Sequence, residues 1–189
     1  FIDKSSLTAS RSSINGNTAA MHGGGLFVTF SLFVHLIEDC SVDGNVAVNG
    51  GGGGIYSSTT TVIAVNSSIS NNIAKTFGGG AFLQKSSLTA SSSRINLNTG
   101  GSTGGGVSAS SLSTIMLADG ASVNENSAPY GGGAFLHQCT LTVTRSSIND
   151  NRAIDGGGVY ALASSLLMIE DSSVDGNEAD KNGGGVYSQ

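Results

Sequence analysis

Asn151-Arg152-Ala153-Ile154-Asp155-Gly156-Gly157-Gly158-Val159-Tyr160 decides the fold, because versions of it recur along the whole chain. The same phrase occupies 17–27, 45–56, 72–82, 98–108, 126–135 and 177–187. A β-branched residue stands three places before each Asn: Ile14, Val42, Ile69, Ile95, Val123, Ile148 and Val174. Successive Asn residues are 28, 27, 26, 28, 25 and 26 positions apart. A near-constant period in this range predicts a solenoid, in which each repeat buries its apolar face only by stacking on its neighbours.

The repeat runs through all 189 residues without a linker or a shift in composition, which predicts one domain. The 29 glycines cluster by period, unlike the scatter of low-complexity disorder. Charged residues make up 11% of the chain, against roughly 25% in an average globular domain. Ser, Asn and Thr supply the polar surface instead, a habit of extracellular repeat proteins. The net charge of −5 carries no basic stripe: Arg11, Lys75, Lys85, Arg94, Arg145, Arg152 and Lys181 are spread singly, which argues against a nucleic-acid partner. The longest apolar run, 26–37, is interrupted by Thr29, Ser31 and His35 and falls short of the ~20 residues a membrane span needs. The chain opens at Phe1 and stops within a repeat, and neither end reads as a polar cap, so it is expected to be a segment of a longer repetitive protein.

Within one copy the apolar residues alternate with period two, which specifies strands. Leu141, Val143 and Ile148 face one way; Leu7, Ala9 and Ile14, Leu88, Ala90 and Ile95, and Leu167, Ile169 and Val174 fill the same columns. Residues 4–10 and 85–91 share the identical string KSSLTAS, a sign of coil duplication. Each copy resolves into three short strands: after the glycines, at Leu-Thr-x, and at Ser-x-[Ile/Val]. Three strands per turn of about 27 residues, with no helical segment, describe a parallel β-helix of about seven coils. A right-handed coil is expected, since parallel crossovers overwhelmingly take that hand. A leucine-rich repeat has a similar period, but its leucine spacing and helix-forming half are missing.

The GGG-plus-apolar and [Ile/Val]-x-x-Asn phrases resemble the GGA[ILV] and FxxN repeats of polymorphic outer-membrane proteins. More widely they resemble the right-handed β-helix repeats of the pectin-lyase-like superfamily of large surface and adhesive proteins. All seven copies carry the resemblance. Ile or Val stands where that family has Phe, and a third Gly where it has Ala, so the resemblance implies the architecture. The family's autotransporter barrel has no counterpart in this sequence.

The columns then suggest roles. Asn17, Asn45, Asn72, Asn98, Asn126, Asn151 and Asn177 are expected to stack as an inward amide ladder that satisfies turn backbone groups. The glycine triplets are read as tight corners with close backbone approach; a phosphate cradle would need a following helix and a Lys. Leu26, Ile55, Ala81, Val107, Ala134, Val159 and Val186 are expected to face the core. The next column, Phe27, Tyr56, Phe82, Ser108, Phe135, Tyr160 and Tyr187, is then an outward aromatic stripe interrupted at Ser108. The stripe is either a stacked surface cover or a dock for a like subunit or a glycan. Asn15, Asp43, Ser70, Asn96, Asn124, Asn149 and Asp175 are expected to form a solvated polar rail beside the stripe. Asn66-Ser67-Ser68 is a glycosylation sequon in an outward column, so Asn66 is a candidate N-glycosylation site.

β-Helix enzymes bring carboxylates together around calcium or as acid pairs. No three acids here share a column on adjacent coils. Glu38-Asp39 and Glu170-Asp171 are equivalent but five coils apart, about 24 Å at strand spacing. Asp150, Asp155, Asp175, Glu178 and Asp180 make a small acidic patch, without the calcium-binding nonapeptide. His22, His35 and His137 fall in different coils, and His35 reads as a near-core residue in the column of Leu167. Cys40 and Cys139 lie four coils apart in different columns, about 19 Å by strand spacing, so both are expected to be free thiols. The sequence gives no catalytic set, no metal site and no cofactor. The expected role is a structural spacer or filament segment of a secreted or cell-surface protein, with neighbouring coils or like subunits as partners. A carbohydrate-binding adhesin surface is the alternative, and a lyase or hydrolase with its catalytic coils elsewhere is the third.

Overall fold

The computed structural model describes residues 1–189 and is all-β, with no helix and every strand pair parallel. The chain winds as a β-solenoid of about seven coils. Sheet 1 stacks the strands that follow the glycines: Ile2–Asp3, Leu26–Thr29, Ile55–Ser58, Ala81–Gln84, Val107–Ser110, Ala134–His137, Val159–Leu162 and Val186–Ser188. Sheet 2 stacks Leu7–Ser10, Phe33–Ile37, Thr61–Val65, Ser87–Ser91, Thr114–Ala118, Thr140–Thr144 and Leu166–Glu170. In both sheets each strand pairs with its equivalents one coil before and after, so identical columns meet.

The third strand differs from the expectation. The Ser-x-[Ile/Val] position is a ladder of single-residue bridges, Ser13 to Ser41 to Ser68 to Arg94 to Ser122 to Ser147 to Ser173. A third run of short strands begins instead just after each Asn: Thr18–Ala19, Val46–Ala47, Ile73–Ala74 and Thr99–Gly100, continued by a bridge at Ser127 to Arg152–Asp155 and Glu178–Asn182. The cause is a side chain in place of a carbonyl. Two residues past the bridging Ser, the backbone N–H of Asp43 donates to Asn15 Oδ1 and not to a carbonyl of the preceding coil, so the run of carbonyl bonds in that direction is interrupted, while Gly44 N–H still donates to Ser70 O of the following coil.

The core is one cluster of 29 buried residues running the length of the stack. Its columns come from alternate positions: Leu26, Ile55 and Val107 of sheet 1 face Val34, Val62, Leu88 and Leu141 of sheet 2, with Val42, Ile69, Ile95, Val123 and Ile148 closing the third side. His35 is a correction. Val34 occupies the Leu7 and Val62 column, while His35 pairs with Thr8 and Ile63 and faces outward, its ring 4.3 Å from that of Phe33. The sequence Phe-Val-His-Leu-Ile permits two phases, and burying Val34 and Leu36 keeps the imidazole in water.

The triplets explain how narrow the coil is. The first glycine of each, such as Gly78 and Gly104 with φ of 62° and 60°, takes the left-handed conformation, where a Cβ would strike the carbonyl three residues on. The middle glycine lies against backbone on two sides: a Cβ on Gly105 would sit 2.4 Å from Gly132 O and 2.5 Å from Ser127 N. The third backs onto the Asn column: a Cβ on Gly106 would sit 3.1 Å from Asn126 Nδ2. The corner before sheet 1 and the post-Asn strand therefore meet main chain to main chain, with no room for side chains between them.

The corners flanking sheet 2 carry buried hydroxyl columns. Ser31, Thr60, Ser86 and Ser113 each donate to a carbonyl two or three residues back. They also accept the backbone N–H of the preceding coil. Cys139 continues this column and Cys40 stands in the equivalent column of Ser12, Ser67 and Ser93 at the other corner, each thiol donating to a nearby carbonyl. Both cysteines are buried and free. Each thiol substitutes for a hydroxyl of almost the same shape.

Candidate functional site

The Asn ladder is the most ordered polar feature. Asn45, Asn72, Asn98, Asn126 and Asn151 are at most 1% exposed. Each Oδ1 accepts the backbone N–H and the Nδ2 of the Asn one coil earlier, at 2.9–3.0 Å. Each Nδ2 donates onward to the next Asn and back to the carbonyl of the β-branched residue in the previous coil, as from Asn98 to Ile69 O at 2.9 Å. The same pattern runs from Asn17 through to Asn177. In the interior coils both acceptor sites and both donor hydrogens of the amide are engaged, so the ladder has no group left to offer a ligand.

The rail is a second ladder running the opposite way. Asn15, Asp43, Asn96, Asn124 and Asn149 each accept, through Oδ1, the backbone N–H of the following coil at 2.8–2.9 Å. Hydroxyls of Ser68, Ser122, Ser147 and Ser173 join the same oxygens. Only an acceptor is required here, and Asp serves as well as Asn.

The aromatic column is two stacks. Phe27, Tyr56 and Phe82 lie with centroids 4.8 and 5.4 Å apart, and Phe135, Tyr160 and Tyr187 with centroids 5.5 and 4.9 Å apart. Ser108 separates them, 2% exposed and 2.9 Å from the Thr103 hydroxyl. Phe1 extends the first stack, at 5.4 Å from Phe27. The sequence reading missed a second file of rings, at the residue just before the triplet: His22 lies 4.8 Å from Tyr56, Phe77 5.5 Å from Phe82, and Tyr130 5.5 Å from Tyr160. Where the stripe has Ser108 the turn has Thr103; His22, Phe77 and Tyr130 precede Phe27, Phe82 and Phe135, whereas Gly51, Asp155 and Asn182 precede Tyr56, Tyr160 and Tyr187. His22 Nδ1 also accepts the Gly51 N–H at 3.0 Å. Burial raises the Tyr56 and Tyr160 hydroxyl pKa values, with Tyr187 and Asp155 adding to the rise at Tyr160. The rings face one another along the stack, and the turn rings shelter their flank.

Asn66 is exposed at the corner after sheet 2 with φ of 46°, and its amide donates to Asp39 Oδ1 at 2.8 Å. The hydroxyl of the sequon's Ser68 is bonded to Asp43. At the same corner Arg145 pairs with Asp119 and holds its carboxyl below the usual range, first through the hydrogen bond and then through charge.

The largest concavity, about 560 Å³, lies elsewhere, at the corner before sheet 2, lined by Leu112, Gln138, Cys139, Ser164 and Leu166 among others, with no charged side chain. Burial raises the Cys139 thiol pKa there. A second concavity of about 300 Å³ gathers Asp39, Asp43, Asn66 and Arg94. No three Asp, Glu, His or Cys side chains approach closely enough to share a metal ion, and no helix is long and apolar enough to cross a membrane. Fold and ladders define a parallel β-solenoid. No protein-family model, curated protein or solved structure matches the chain.

Proposed function

We propose that this chain is a non-enzymatic structural segment, a rigid spacer or filament component of a large secreted or cell-surface protein with repeats like those of polymorphic outer-membrane proteins. One observation carries the reading: the recurrent polar side chains of the coil are committed to the next coil. The Asn ladder uses its full hydrogen-bonding capacity, and the rail and the corner hydroxyls hold backbone N–H groups. Such a stack gains length at a fixed increment, about 4.8 Å per coil, and its stability accumulates from neighbour interfaces. A seven-coil segment is then a rod of roughly 34 Å.

The adhesin alternative receives less support. A sugar-binding platform presents ring faces to solvent, whereas here the faces are occupied by neighbouring rings and the turn rings cover the flank. Electron microscopy of the native assembly tests the proposal. Straight β-helical rods incorporated end to end or side by side are expected. Turnover of a polysaccharide by this segment, or glycan-array binding abolished by Phe135→Ala, would overturn it.

A further inference from the structure

We propose that the outer face of sheet 2 is a self-association surface, on which a second copy of this chain lies with its coil axis parallel and pointing the same way. This rests on the structural reading above and names the partner. Five consecutive strands, Phe33–Ile37 to Thr140–Thr144, present three outward residues each, and none is Asp, Glu, Lys or Arg. Apart from His35, the outward residues are hydroxyl or apolar, including Ile63, Thr89, Met116 and Thr142; Met116 is 44% exposed and Val65 39%. Sheet 1, by contrast, has its outer aromatic column sheltered by the turn rings. A chain of net charge −5 repels its own copies, and the uncharged face is where two copies approach without opposing like charges.

The two corners that border the face choose the orientation. The corner leading into sheet 2 carries only Lys4 and Lys85 as charges, beside exposed Leu32 and Leu112, 80% and 84% exposed. The corner leaving it carries Glu38, Asp39, Asp119 and Asp171, with Glu170 at the end of the last strand, against Arg11, Arg94 and Arg145, of which Arg11 and Arg145 are paired with Glu38 and Asp119; the corner keeps a net negative charge. A two-fold axis parallel to the coil axis sets the lysine corner of each copy against the acidic corner of the other, on both sides. A two-fold axis perpendicular to the coil axis sets lysine against lysine and acid against acid. Electrostatic complementarity of this kind fixes register and orientation. Size is consistent with a dimer at the lower limit. Seven strands at about 4.8 Å and five residues at about 3.3 Å give a footprint of roughly 500 Å², or about 1,000 Å² over both partners, near the floor for a specific interface. The bordering leucines add to it.

Sedimentation equilibrium of the unglycosylated chain over a wide concentration range tests the surface. A reversible monomer–dimer equilibrium is expected, weakened at least about tenfold in the Thr89→Arg/Met116→Arg variant, with circular dichroism and melting unchanged. Thr142→Glu, one strand along, replaces that variant should it fail to fold. Lys85→Glu is expected to weaken the dimer, and zero-length cross-linking of mixed isotopic copies to join Lys85 to the acidic corner of the partner. A monomer at every concentration, or a dimer indifferent to the sheet 2 substitutions, would sink the proposal; a dimer strengthened by Lys85→Glu would sink its orientation. The structural reading fails separately: a monomeric chain is still a spacer, while polysaccharide turnover would remove the spacer role and leave the dimer untouched.

Discussion

Asn126 and Asn124 sit two residues apart in one coil and do the same job by different rules. Both bind a backbone N–H of a neighbouring coil through Oδ1, but Asn126 is 1% exposed and also donates twice, to Asn151 Oδ1 and to Ile95 O. Asn124 lies at the surface and serves as acceptor only, for Asn149 N–H and the Ser147 hydroxyl. The inner column is Asn in all seven coils; the outer admits Asn, Asp and Ser. An amide is demanded where donor and acceptor are both engaged away from water, and any small acceptor suffices where only one is.

The sharpest break of this comparison is one substitution placed in both columns. Asn98→Asp removes the donors to Ile69 O and Asn126 Oδ1 and sets a buried carboxylate against two oxygens. A loss of about 3–5 kcal/mol is expected, the scale for an uncompensated buried charge. Burial raises the carboxyl pKa in the folded state, so the deficit should shrink as the pH falls and the protonated form donates one bond. Asn96→Asp keeps the acceptor for Asn124 N–H and Ser122 and should change stability by no more than about 0.5 kcal/mol. Urea midpoints at several pH values, with unchanged slope, measure both. Equal losses at the two sites would remove the distinction between the ladders.

The glycines divide along the same line. Gly105→Ala forces a methyl group between Gly132 O and Ser127 N, two backbone groups fixed by the stack, and is expected to cost about 3 kcal/mol. Gly16 has φ of 67° but open space around its absent Cβ. Gly16→Ala should cost only the left-handed backbone preference, about 1 kcal/mol. Thermal melts of the two variants check the order.

This difference shows what a sequence of this kind reveals. The period, the alternation and the repeated Asn and Gly positions identify the parallel coil and its inner ladder, because burial forces the same residue into the same place each time. The post-Asn strands, the rail's bonding and the outward phase of His35 were not legible. Whether an N–H meets a carbonyl or a side chain depends on the left-handed residue at each corner, and those positions hold residues as different as Gly44, Asn71, Leu97 and Asp150. The cysteines were placed in separate columns from spacing alone, but their role as hydroxyl substitutes emerges only beside Ser113 and Ser67. The aromatic stripe was visible, while its sheltering rings required the turn geometry.

Between the two ladders stands a residue that sharpens the comparison without touching either. Leu97 links Asn96 to Asn98 with φ of 60° and is 49% exposed, where Gly16, Gly44 and Gly176 serve in other coils. Left-handed backbone disfavours a branched apolar residue by about 1–2 kcal/mol, which outweighs the loss of the covered half of the Leu97 surface. Glycine's greater unfolded-state entropy returns part of the gain. Leu97→Gly is expected to stabilise by about 0.5–1 kcal/mol in urea unfolding, with both ladders unchanged by amide hydrogen exchange.

The smallest effect belongs to the charges, and it separates the wet corner from the dry ladder by pH. Asp119 and Arg145 are exposed, and Arg145 depresses the Asp119 pKa by hydrogen bond and charge. A carboxyl whose pKa is lower in the folded state adds stability above the ordinary carboxylate pKa, and loses it as pH falls through the folded value. Melting temperature should therefore decline slightly in acid, and Arg145→Gln should remove the Asp119 part of that decline. Salt should do the same to the parent protein, because exposed pairs are screened. The inner-ladder amides have no proton to gain or lose in this range, so the bonds of that ladder are indifferent to both treatments. A steep acid transition in both proteins at high salt would place the controlling group somewhere other than this corner.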